Sequence, residues 1–234
     1  MLSHPVPSTI EIPQSRTVPT REVAGSIGER FARASLRTLH PHELLFREGD
    51  AKTLVYQVAE GAFVLYKLLP NGRRQVTGFA LPGDIVDLSA VGQHVCSAEA
   101  SGPAKVRSLP FAVLMRLAAE EPGLALKLYQ SMSQELARAH DLLMTVGRLD
   151  AAERVATFLL GLSRHNERSG RDAEWIELPM TRCDIGDLLG LTTETVSRTL
   201  TKLANRQFIA RFNGKIRILD TIALQGVAAD GLAS

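Results

Sequence analysis

Glu194, Ser197 and Arg198 fall at i, i+3 and i+4, so a helix would place all three on one face, and their polar groups complement the edges of DNA bases. The Arg198 guanidinium can donate two hydrogen bonds to guanine O6 and N7, and the Glu194 carboxylate can accept from cytosine N4. The Ser197 hydroxyl can take either role. The bland alternative is a surface ion pair between Glu194 and Arg198, worth only about 0.2–0.5 kcal/mol. Cys183 is the second residue with chemistry to offer. It stands beside Arg182 at an expected helix start, where the helix dipole and a positive neighbour both favour the reactive thiolate. Oxidation to sulfinate or sulfonate would set negative charge against a phosphate, and an intermolecular disulfide would block docking sterically. The alternative is an inert thiol in the cap region.

The elements that must position these groups are legible over residues 181–200. Thr181 fits an N-cap with Asp184 three residues on, Gly190 fits a tight left-handed turn, and Thr192 or Thr193 fits the cap of a second helix. Ile185, Leu188, Leu189, Leu191, Val196, Leu200 and Leu203 supply the apolar contacts that would fix the two helices at a set angle, leaving Thr193, Glu194, Ser197, Arg198 and Lys202 outward. This is a helix-turn-helix, and its concurring cap, turn and core positions favour base reading over the surface pair. Downstream, Asn205-Arg206-Gln207-Phe208-Ile209 and Asn213-Gly214-Lys215-Ile216-Arg217-Ile218 predict a two-stranded hairpin with an Asn-Gly turn, a wing. Thr181, Arg182, Thr192, Thr193, Lys202 and Lys215 are the candidate DNA-backbone ligands, within a local cluster that includes Arg206, Arg211 and Arg217. A net charge of only +2 over 234 residues makes such clustering necessary for a nucleic-acid partner.

Upstream, residues 44–109 carry turn formers at short intervals, among them Glu48-Gly49-Asp50, Pro70-Asn71-Gly72 and Pro82-Gly83-Asp84, between β-rich runs at 54–58, 62–66 and 75–79. That pattern predicts a small antiparallel barrel or sandwich. A short helix over 111–121 stops at Pro122, and a long one follows to Val146. Its apolar residues Ala125, Leu128, Met132, Leu136, Ala139, Leu143 and Val146 follow three-and-four spacing, which fits a core face or a dimer seam. The helix's length favours the dimer, with Leu128, Met132, Leu136, Ala139, Leu143 and Val146 at its interface.

Two cysteines, Cys96 and Cys183, exclude a disulfide framework, and Cys96 in an apolar β segment reads as structural. No apolar run approaches the roughly 18 residues of a membrane span, and the Pro-rich start lacks a signal-peptide pattern, so the expected location is cytoplasmic with no membrane partner. His40-Pro41-His42-Glu43 resembles a fragment of a metal-ligand motif of cupin enzymes, but His94 is the only further histidine of the β region. No catalytic elbow or phosphate-cradling glycine loop is present, so no enzyme activity is expected.

With these motifs in consistent order from Leu44 to Ile218, the chain resembles the CRP/FNR family of bacterial transcription regulators, and within it the FixK-type branch. Glu194-Thr195-Val196-Ser197-Arg198 is similar to the FNR-type recognition helix, and Leu45-Phe46-Arg47-Glu48-Gly49-Asp50 and Gly78-Phe79-Ala80-Leu81-Pro82-Gly83-Asp84-Ile85-Val86 resemble the family's barrel turns. The resemblance implies an α+β fold: an N-terminal antiparallel β-barrel of cyclic-nucleotide-binding type, a long dimerisation helix and a C-terminal winged helix-turn-helix. The expected boundaries are a flexible segment at 1–21, the β domain at 22–121, the dimer helix at 122–147, the DNA-binding domain at 148–226 and a flexible tail at 227–234. It further implies a homodimer on double-stranded DNA, at two-fold sites with TTGAT half-sites, recruiting RNA polymerase as an activator. Two departures shape the expected control. Residues 92–98 lack the arginine with which cyclic-AMP-binding members hold the phosphate, and no cysteine precedes Cys96, against the N-terminal cluster of iron-sulfur members. Neither a cyclic nucleotide nor another bound cofactor is expected, although a small effector in the barrel stays open.

Overall fold

The computed structural model describes residues 27–89 and 92–230. The expected flexible segment 1–21 and residues 231–234 of the expected tail lie outside the described residues. The β-rich half begins with a short helix α1 (Ile27–Ala32) and runs through β1 (Ser35–Leu39), β2 (Leu44–Phe46), β3 (Leu54–Glu60), β4 (Phe63–Leu68), β5 (Arg74–Ala80), β6 (Ile85–Val86), β7 (Ser97–Ala100) and β8 (Ala104–Pro110). These strands form two four-stranded sheets, ordered β1-β8-β3-β6 and β2-β7-β4-β5, with antiparallel pairing throughout. The barrel therefore takes a jelly-roll-like form, two sheets face to face with no closed hydrogen-bonded ring. Leu39, Val58 and Val106 from one sheet meet Phe63, Ala80 and Ala98 from the other in a common buried core. Strand alternation puts these residues inward while their neighbours face out.

Helix α2 (Phe111–Glu120) leads to α3 (Pro122–Arg148), with Pro122 at the first turn where its missing N–H costs nothing. The start of α3 lies on the β domain: Leu124 is buried with Phe31, Val55 and Leu114. Leu128, expected in a dimer seam, is half-buried against that same cluster. Beyond it the apolar stripe is uncovered, with Met132, Leu136, Leu143 and Val146 all exposed in the single chain.

The C-terminal half contains α4 (Ala151–Arg168), β9 (Trp175–Glu177), α5 (Arg182–Leu189), α6 (Thr193–Asn205), β10 (Ile209–Phe212), β11 (Lys215–Ile218) and α7 (Thr221–Asp230). Val155, Leu159, Ile185, Leu189, Val196, Leu200, Leu203, Ile209 and Ile216 share one core. The wing differs from the expected two strands. Residues 205–207 finish α6 and turn, the first arm is Ile209–Phe212, and β9 adds a third strand in the order β10-β11-β9. The turn is as expected, with Asn213 and Gly214 at φ 44° and 81°. The tail expected from residue 227 is also corrected. Helix α7 continues to Asp230 because Leu224 and Val227 bury themselves in the core beside α4.

The two halves are not independent. Val64, Tyr66 and Val76, on the outer face of the second sheet, belong to the core of the C-terminal half.

Candidate nucleic-acid interface

Local chemistry fixes the helix pair. Thr181 caps α5 through a reciprocal capping box: its Oγ1 accepts from the Asp184 N–H at 3.1 Å, and the Asp184 carboxylate accepts from the Thr181 N–H at 3.0 Å. Gly190 ends α5 in a left-handed conformation, φ 65°. Gly186 allows the close return of the chain, where the Leu191 N–H donates to its carbonyl at 2.9 Å and an added Cβ would lie 2.6 Å from the Leu191 carbonyl oxygen. Arg154 of α4 donates to the carbonyls of Leu149 and Leu189, both at 2.8 Å, tying the start of α4 to the end of α5. Thr192 caps α6 by accepting from the Thr195 N–H at 3.1 Å, which decides between the two threonines.

With Val196, Thr199, Leu200 and Leu203 buried, α6 turns Thr193, Glu194, Ser197, Arg198 and Lys202 to solvent. The structure thus brings the three base-reading candidates onto one open face. Glu194 and Arg198 approach only to 3.9 Å while both stay well exposed, so the ion pair leaves the guanidinium fork available. The backbone candidates divide. Thr181, Thr192, Thr193, Lys202 and Lys215 are exposed, though Lys215 already pairs with Glu177 at 2.5 Å. Arg182 is half-buried, and burial first, then the like charge of Arg211, lowers its pKa. Its Nη1 is buried with no hydrogen-bond partner. Arg217 pairs with Glu174 at 3.3 Å and lies over the Trp175 ring, 5.6 Å from its centroid.

Cys183 is exposed in the first turn of α5. Cys96 is buried, and burial, reinforced by the negative charges of Asp87, Glu135 and Glu48, pushes its thiol up to about 11. That keeps it a protonated, poorly reactive thiol.

Two arrangements escaped the sequence. Arg74 on β5 binds the Asp184 carboxylate inside the α5 capping box, and Gln75 donates to the Asp187 carbonyl at 3.0 Å. Nothing in the sequence points from Arg74 to a partner 110 residues away. Inside the β domain, Lys52 and His94 flank Asp87, at 3.0 Å and 2.8 Å, and all three side chains are buried. Burial raises the Asp87 pKa, but hydrogen bonds from Ser89, Lys52 and His94 outweigh it and hold the carboxyl below its ordinary value. His94 also stacks on Phe46, ring centroids 3.6 Å apart.

The histidines weighed as metal ligands go elsewhere. His42 pairs with Glu99, and Glu43 is held by Arg37 and the His40 N–H. Among the described residues no three His, Cys, Asp or Glu side chains group to hold a metal, and no helix is long and apolar enough to cross a membrane.

Comparison with known proteins gives concordant results. A Crp-like helix-turn-helix domain model matches residues 153–227, and a cyclic nucleotide-binding domain model matches residues 36–121. The nitrogen fixation regulation protein FixK of Bradyrhizobium diazoefficiens is 43% identical, with 80% of this chain and 79% of that protein aligned. The transcriptional activator protein Anr of Pseudomonas protegens is 38% identical, over 82% and 80% of the two chains. The structure of FixK2 from Bradyrhizobium japonicum superposes with a TM-score of 0.77 at 37% identity, covering 86% of this chain and 99% of that one. These relatives are transcription regulators, not enzymes. With both domain models matched in order and such relatives aligned over four-fifths of their length, this chain belongs to the CRP/FNR family of DNA-binding transcription regulators.

Proposed function

We propose that the chain acts in the cytoplasm as a homodimeric transcription activator of the FixK type, binding two-fold sites with TTGAT half-sites and recruiting RNA polymerase. The observation that carries this reading is the open face of α6, where Glu194, Ser197 and Arg198 project together from a helix locked by two caps and a glycine turn. Glu194, Ser197 and Arg198 read bases, while Thr181, Arg182, Thr192, Thr193, Lys202 and Lys215 hold the DNA backbone. Met132, Leu136, Ala139, Leu143 and Val146 form the dimer seam, supported by their exposure along one helix of the single chain.

Binding needs neither a cyclic nucleotide nor another cofactor. Residues 92–98 contain no arginine, and the charges inside the β domain compensate one another in the Lys52–Asp87–His94 cluster. Control includes oxidation of Cys183. A peroxide takes its thiolate to sulfenic acid, and further equivalents give an anionic sulfinate facing the DNA backbone. Its exposure in the first turn of α5 supports this.

The test is binding of purified, reduced, ligand-free protein to a two-fold TTGAT duplex and to a scrambled one, before and after peroxide. Selective binding that peroxide abolishes in the native chain and spares in Cys183→Ser is expected. Indifference to sequence would refute the base-reading assignment, and equal peroxide loss in both proteins would refute the role of Cys183.

A further inference from the structure

A cleft of about 460 Å³ opens between the β5–β6 turn and the C-terminal end of α4, where the β domain meets the DNA-binding half. A cleft of that size accommodates a small metabolite. Its walls, unlike those of most ligand pockets, are charged. Arg138 comes from α3, Arg168 from the last turn of α4 and Arg171 from the loop beyond it, and the opposing turn supplies a single carboxylate, Asp84. That carboxylate is committed to the protein. It accepts from the Leu81 N–H at 3.0 Å and faces Arg138 at 3.6 Å and His165 Nδ1 at 3.8 Å. Arg168 and Arg171 have no ion-pair partner among the described residues.

Among the wall residues three guanidiniums face one carboxylate, and although Glu135 beside the wall also acts on Arg138, positive charge is in excess, the complement of a phosphate group, which carries about −1.5 to −2 at neutral pH. His165 adds a second indication. Its Nε2 is buried and makes no hydrogen bond of normal geometry, which leaves it able to bond a ligand or water. Burial lowers the pKa of this ring, Asp84 and the Pro82 carbonyl oppose the shift, and Arg171 and Arg138 add to it. Ser169, also in the wall, offers a hydroxyl. Two chain segments, α3 and the end of α4 with the loop beyond it, bring these arginines to one concavity that also contains the His165 ring.

We propose that this cleft binds a small phosphomonoester, with Arg138, Arg168 and Arg171 clasping the phosphate and His165 and Ser169 completing its hydrogen bonds. The organic part fills the volume that a free phosphate ion leaves empty. Such a ligand would touch both the β5–β6 turn and α4, and so bridge the two halves of the chain.

The experiment is calorimetric titration of the full-length protein with inorganic phosphate, pyrophosphate and AMP, each against sodium chloride of equal ionic strength. Arg168→Gln/Arg171→Gln is compared with wild type, because both side chains are exposed and outside the DNA-reading face. Saturable binding of a phosphate compound, weakened at least tenfold in the double variant, is expected. AMP tighter than inorganic phosphate identifies an ester as the ligand, and the reverse order replaces the ester by the free ion. His165→Asn should weaken binding more modestly without changing the melting temperature by more than a few degrees. Absence of saturable binding by all three probes, or equal binding by the double variant, overturns the proposal. DNA affinity of the double variant in phosphate-free buffer supplies the remaining control. If it falls together with the salt dependence of binding, these arginines serve the DNA backbone and the proposal is wrong.

Discussion

Replacing Gly186 by alanine tests the geometry of the helix pair, because two opposing effects have sizes that the structure decides. Gly186 lies inside α5, where alanine would normally be favoured by about 0.5–1 kcal/mol. Against this, the new Cβ would sit 2.6 Å from the Leu191 carbonyl oxygen, well inside the 3.4 Å at which ordinary contact begins. The obstacle is backbone in the tight turn before α6, so no flexible side chain can yield. Overpacking of this kind costs about 1–3 kcal/mol, which leaves a net destabilisation of roughly 0–2.5 kcal/mol after the helical gain. For a chain of this size that is a fall of up to about 10 °C in melting temperature. Relief of the clash also shifts α6 relative to α5, so cognate DNA affinity should drop more than stability alone accounts for. Calorimetric melting and DNA titration of Gly186→Ala are to be read beside Gly226→Ala in α7, where an added Cβ meets nothing within 4 Å. The control should gain stability. A Gly186→Ala protein as stable as wild type, with unchanged DNA affinity, would refute the close packing of turn on helix.

Further outcomes follow from the same structure. Arg198→Ala should lose about 1–3 kcal/mol per half-site on cognate DNA and relax selection at its guanine, with little change on scrambled DNA, as read by fluorescence anisotropy. Lys215→Ala should instead weaken all sequences alike and flatten the salt dependence by about one unit per protomer. Leu136→Glu/Leu143→Glu, at positions 58% and 71% exposed in the single chain, should leave folding intact and convert the protein to monomers in sedimentation analysis. The depressed Asp87 pKa gives a sign for acid behaviour. The unfolded carboxyl takes up its proton first, so stability present above about pH 4 is lost as pH falls through the lower folded value, and Asp87→Asn should flatten that limb in acid titrations followed by circular dichroism.

The helix-turn-helix was legible because its determinants are local. Thr181, Asp184, Gly190 and Thr192 act within three or four residues of their partners, and the 3.6-residue period told which face of α6 must turn outward. The β strands were legible for a similar reason, since alternation and turn residues bound them. What sequence could not reveal were pairings across long separations. Arg74 with Asp184, and Lys52 and His94 with Asp87, depend on which surfaces meet after folding, and the isolated residues look like ordinary solvated charges. The wing was misread by a few residues because Asn205 to Gln207 are polar enough for a strand edge, yet they close the last turn of α6. The DNA-binding domain was cut short at residue 226 because the small residues that follow hide Val227, whose burial with Leu224 keeps α7 helical to Asp230.

Asp184 serves two masters: its carboxylate completes the cap of α5 and receives Arg74 from a different half of the chain. The consequence is a limit on interchangeability. A chimaera that grafts this DNA-reading module onto a foreign sensor would inherit the acid without its cation and the C-terminal core without Val64, Tyr66 and Val76 that pack into it. Positions 74 and 184 therefore travel as a pair, and a transplanted module that retains its affinity must bring a substitute for the arginine with it.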